Sequence, residues 1–152
     1  MLGLLYESLV SLFASLCFGV LFRLRGAKLV FAAGGGMLSW FIYAGSGILF
    51  PAHNILGYFF AAVGFTFYSE CCARILGAPT SIFLTISLIP LVPGNGIYQT
   101  MYYCVLGDTT KALAECINTV AIAGALALGI VVVSSIFHAL LIIKPKHSFF
   151  LR

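Results

Sequence analysis

Charged residues are scarce in this 152-residue chain: 8% of positions, where a soluble domain carries roughly 25%. With 62% of its residues hydrophobic, the chain has too few polar groups to cover the outside of a soluble fold. Several absences narrow the reading further. The net charge of +4 comes with no basic patch interleaved with aromatics, which removes nucleic acid as a partner. No short alternating segments appear, which removes a membrane β-barrel. No positive charge precedes the first apolar run, so 2–22 reads as a retained span and not as a secretory signal. His53, His138 and His147 stand apart, and Cys17, Cys71, Cys72, Cys104 and Cys116 lack zinc-type spacing. The cysteines read as small apolar packers inside helices. No metal, no cofactor and no nucleophile–base pair is expected, hence no enzymatic activity.

What is present is a set of long uncharged runs, and lipid is their natural solvent. They cover 8–22, 29–69, 75–107 and 116–143. The second is far longer than the roughly 20 residues one span needs, and Pro51, His53 and Asn54 mark a loop inside it. The expected fold is all-α: one transmembrane domain over 1–152 with five helices at about 4–22, 29–49, 55–75, 80–106 and 110–143, the fourth interrupted at 90–96. With the N-terminus outside and the C-terminus cytoplasmic, seven cations (Arg23, Arg25, Lys28, Arg74, Lys144, Lys146, Arg152) fall inside and only Lys111 outside. A re-entrant 80–106 would reduce that bias to five against three. The expected location is therefore the cell membrane, inner or plasma, crossed several times.

Small residues recur where helices would meet. Ser11, Ser15 and Gly19 repeat every four residues, as do Ala121, Ala125 and Gly129, and Gly34, Gly35 and Gly36 lie together. Such faces let backbones approach in lipid, within the chain or against a partner subunit or second copy. There are four acids. Glu70 and Arg74 share a helix face and read as a structural ion pair or as a gate. Asp108, before Thr109, Thr110 and Lys111, reads as a helix N-cap. Glu115, with Asn118 and Thr119 nearby, is either a local structural acid or a proton-coupling group, because an acid inside a span needs a polar surrounding.

The chemically informative stretch is Pro90-Leu91-Val92-Pro93-Gly94-Asn95-Gly96-Ile97-Tyr98. Two prolines and two glycines this close should stop an α-helix. Each apolar flank is about 8–10 residues, roughly 12–15 Å, at most half the hydrocarbon thickness. Two half-helices meeting near the midplane fit these lengths, as does a simple kink or a surface loop. In the first case the second half-helix starts near Asn95 to Tyr98 and turns its free N–H groups and positive dipole end toward the break, an arrangement that attracts a carboxylate. Pro90, Pro93, Gly94, Asn95, Gly96, Tyr98 and Gln99 are then the candidate binding residues.

Pro90-Leu91-Val92-Pro93-Gly94, followed by Tyr98 and Met101, resembles the proline-proline-glycine-tyrosine motif of the threonine/serine exporter family. Phe18-Gly19-Val20-Leu21-Phe22 before a basic turn, Glu70-Cys71-Cys72-Ala73-Arg74 followed by Pro79 and Phe83, and the small residues 121–129 are similar to other parts of it. More narrowly, the chain looks like the small, YjjB-like subunit. The resemblance implies a larger, YjjP-like membrane partner, export of threonine, serine or a dicarboxylate such as succinate, and use of the proton motive force. A non-transporting scaffold for that partner is the competing reading; the broken helix separates the two, since a scaffold has little reason to keep one.

Overall fold

The computed structural model describes residues 2–49 and 54–143. Pro51 and His53 of the expected loop, and Lys144, Pro145, Lys146, His147 and Arg152, lie outside the described residues. The described chain is all-helical: α1 (Leu2–Leu21), α2 (Ala27–Leu49), α3 (Asn54–Leu76), α4 (Thr80–Leu88), a 3-10 turn (Ile89–Leu91), α5 (Gly94–Val105) and α6 (Thr109–Ile143). Four helices are long and apolar enough to cross a membrane unaided, and α4 with α5 forms a bent pair, long and apolar enough together to make a fifth crossing or a re-entrant loop. The protein is thus a multi-pass membrane bundle, as its composition requires.

The turns after α1, α3 and α5 each have a local cause. Gly77 and Gly107 adopt φ of +56° and +77°, the left-handed conformation that ends a helix at little cost to glycine. The amides that follow, of Ala78 and Asp108, donate back to the Ala73 and Tyr103 carbonyls at 3.0 and 3.1 Å. Arg23 plays the same part after α1 with φ of 58°, and Leu24 donates to the Gly19 carbonyl at 3.0 Å. Asp108 caps α6 as expected, its carboxylate accepting from the Lys111 amide at 3.2 Å and pairing with the Lys111 ammonium at 2.9 Å. Those bonds, first the one from the Lys111 side chain, lower the Asp108 pKa below its ordinary value.

The small-residue faces pack helices together, as expected. Ser11 of α1 donates to the Gly36 carbonyl of α2 at 2.8 Å. Gly19 is buried where α1 meets Leu29. Gly129 brings α6 onto α3, where a Cβ would stand 2.5 Å from Ala62 Cβ and 3.0 Å from the Phe59 carbonyl oxygen. Two apolar clusters result. One joins Phe83 and Ile86 of α4 to Ala32, Cys72 and Ala73; the other joins Leu91 to Ala61, Phe65, Ile122 and Leu126. All five cysteines are unpaired and helical, but Cys72 alone is buried, so packing does not explain Cys17, Cys104 and Cys116.

Charge is segregated along the bundle. Leu24, in the turn of Arg23 and Arg25 just before Lys28 of α2, packs in the same cluster as Leu76, so that turn and Arg74 share one end. Arg74 also lies over the Phe137 ring, 4.4 Å from its centroid, near the end of α6 remote from Lys111.

Candidate functional site

The chain bends by 51° between α4 and α5. α4, nine residues or roughly 13 Å long, packs inside the bundle against α2 and α3 and buries Phe83, Ile86 and Ser87. α5, twelve residues or roughly 18 Å long, packs against α6 and has no buried residue. The break therefore carries the chain from the bundle interior to its flank.

The interruption is narrower than expected. Ile89–Leu91 forms a 3-10 turn and α5 begins at Gly94, so Gly94, Asn95 and Gly96 are helical. The prolines alone break the helix. Glycine costs a helix only about 1 kcal/mol, whereas an interior proline costs about 3 and removes a donor.

The hydrogen bonds at the break are incomplete on both sides. Val92 donates to the Ile89 carbonyl at 3.3 Å, and Gly94 turns back to the Val92 carbonyl at 2.7 Å. Pro93 has no N–H with which to reach the Pro90 carbonyl. Among the described residues, no turn, loop or cap hydrogen bond reaches the carbonyls of Pro90 or Leu91. On the other side, Ile97 donates to the Pro93 carbonyl at 3.2 Å, but the amides of Asn95 and Gly96 find no acceptor, and no side chain caps α5. Acceptors without a turn bond thus precede the break and donors without one follow it, and the positive end of α5 adds to the donor side. A zwitterion matches this arrangement: the carbonyls suit an ammonium and the amides a carboxylate.

The remaining candidates divide into groups. Gly94, Asn95 and Tyr98 are exposed, and a Cβ on Gly94 would meet nothing within 4 Å. Pro90, Pro93 and Gln99 are half-buried. Tyr98 stacks on Tyr102 with centroids 6.1 Å apart. Gly96 has a packing role, since a Cβ there would strike the Thr119 hydroxyl of α6. The contact of Gly96 with Thr119, and that of Lys111 with the Tyr103 ring, set the antiparallel register of α5 and α6. That register puts half-buried Glu115 across from Gln99 and Thr100, close to the break, while Asn118 is exposed.

Glu70 and Arg74 are not part of this group. Arg74 bonds Glu70 at 3.3 Å and lies over Phe137, about 33 Å along α6 from Glu115. The carbonyls of Pro90 and Leu91 escaped the sequence reading, although the Pro90–Pro93 spacing was their signal: the second proline removes the donor a 3-10 turn would offer the first.

Residues 7–136 match the family model described as Threonine/Serine exporter, ThrE. The chain matches no curated protein and no solved structure.

Proposed function

Because the chain belongs to the threonine/serine exporter family, a family of transporters and not of enzymes, we propose that it is a membrane subunit of a secondary exporter for small carboxylate-bearing metabolites. Its solute binds at the break, touched by Pro90, Pro93, Gly94, Asn95, Gly96, Tyr98 and Gln99. The observation that carries this reading is that carbonyls without a turn bond, those of Pro90 and Leu91, precede one bend and amides without one, those of Asn95 and Gly96, follow it. Irregular backbone at membrane depth is tolerated only in protein or beside a polar cavity, and transporters use such broken helices as binding sites. The same arrangement favours an amino acid such as threonine or serine over succinate, because a dicarboxylate has nothing to offer the carbonyls.

The larger YjjP-like subunit covers the exposed flank of α5, and protons drive export. Glu115, beside the break with Asn118 one turn on, is the proposed coupling acid. Glu70 and Arg74 tie α3 to α6 at the cytoplasmic end, with the N-terminus outside. The scaffold reading has no use for a broken helix with unpaired groups. The test is export of labelled threonine and labelled succinate from cells expressing this chain with and without its larger partner. Threonine export that requires this chain supports the proposal; export by the partner alone at the full rate leaves only the scaffold.

A further inference from the structure

Of the cations among the described residues, two are neutralised and three are not. Arg74 pairs with Glu70, and Lys111 pairs with Asp108. Arg23, Arg25 and Lys28 are exposed and have no ion pair among the described residues. All three fall within 23–28, in the turn after α1 and the first turn of α2.

The backbone that carries them is held in place. The Arg23 amide donates to the Val20 carbonyl at 2.9 Å, Leu24 to Gly19 at 3.0 Å, and Leu29 to Gly26 at 3.1 Å. Leu29 lies against Gly19, which closes the hairpin of α1 and α2. Leu24 packs inward on the cluster of Phe83, Ile86 and Ala73, while its neighbours Arg23 and Arg25 stay outside. Apolar surface begins at once on either side: Leu21 and Phe22 before the turn, Val30 and Phe31 after it, are all exposed. In a membrane bundle such side chains face acyl chains, so the three cations stand where acyl chains give way to head groups.

We infer that this turn binds anionic phospholipid, with the phosphates on Arg23, Arg25 and Lys28 and the acyl chains on the apolar residues that flank them. Charge selects an anion, and Glu70, the acid at this end, is taken by Arg74. The two arginines add the planar donor fork that suits phosphate oxygens. The bordering apolar surface selects a lipid over free phosphate, because a soluble anion gains nothing from Phe22 or Val30. Since Leu24 shares a cluster with Phe83 and Ile86 of α4, lipid held at the turn also braces the part of the bundle against which α4 packs. The inference needs only that this end meets a membrane surface; it rests neither on the solute nor on which side that surface faces.

The test is the lipid retained by the purified full chain in detergent with equimolar phosphatidylglycerol and phosphatidylcholine, read by native mass spectrometry. Wild type is compared with Arg25→Gln, Lys28→Gln, the double variant and Lys111→Gln. A basic residue near an anionic lipid surface is worth about fivefold in binding. Wild type should therefore prefer phosphatidylglycerol by about tenfold or more, each single variant several-fold less, and the double variant least. Lys111→Gln, which removes a cation already paired at the other end, should keep the wild-type preference. Should the double variant fail to insert, the single variants carry the comparison. Equal retention of the two lipids by wild type overturns the inference, and so does a preference that survives in the Arg25 and Lys28 variants. Displacement of bound phosphatidylglycerol by glycerol phosphate would show a free-anion site and overturn it as well.

Discussion

Gly96 of α5 lies directly against Thr119 of α6, so close that a Cβ on residue 96 would collide with the Thr119 hydroxyl. Two positions earlier, Gly94 faces open space. The two glycines of the motif therefore have different tasks. Gly96→Val should lower the thermal midpoint and the folded yield, by roughly 1–3 kcal/mol for an overpacked contact. Adding Thr119→Ala should recover part of the loss. A full loss in the double variant would mean that Gly96 does not set the spacing of α5 and α6.

A second close contact holds α6 to α3. Gly129→Leu should destabilise the purified protein by about 1–3 kcal/mol, because Ala62 and the Phe59 carbonyl leave no room for the side chain. Thermal unfolding in detergent checks it; an unchanged midpoint would reject the packing role.

Glu70 and Arg74 supply the third prediction. Glu70 is buried, and Arg74 bridges it to the Phe137 ring. Replacing either residue by alanine should reduce folded yield, and Glu70→Ala should lose less than Arg74→Ala, which leaves a buried carboxylate alone. Exchanging the two residues should restore yield only in part, since the cation then no longer reaches Phe137. Normal folding with lost export in the single variants would instead make the pair a gate.

The all-helical membrane bundle and the interrupted fourth segment were legible from the sequence because both follow from charge-free run lengths and from proline chemistry. Ser11, Gly36 and Gly129 were legible as contacts because small residues at helical spacing have one common use in lipid. The direction of the bend was not. Whether α5 packs inward like α4 or turns outward onto α6 depends on a 51° angle, which neither hydropathy nor proline spacing encodes. For the same reason the helical state of Gly94 and Gly96 was missed: composition counts them as breakers, while position at a helix start makes them tolerable. That Ser87 lies against Gly35 and Ser15 against Gly36 required the tertiary arrangement, since residues 15 and 87 share no sequence pattern.

The measurement closest to the central claim, that the solute binds at the break, is labelled-threonine export by Gly94→Val and Tyr98→Phe beside wild type, at matched membrane levels and with the larger subunit present. Neither change disturbs packing: a Gly94 side chain meets nothing within 4 Å, and the Tyr98 hydroxyl, on a 64% exposed residue, has no partner. Valine at 94 nevertheless fills the space in front of the Asn95 and Gly96 amides. The account predicts normal insertion and partner association in both variants, with export reduced roughly tenfold or more by Gly94→Val, the loss of one well-placed interaction of about 1.4 kcal/mol, and less by Tyr98→Phe. Export at the wild-type rate in both would contradict it and leave residues 90–98 as a kink.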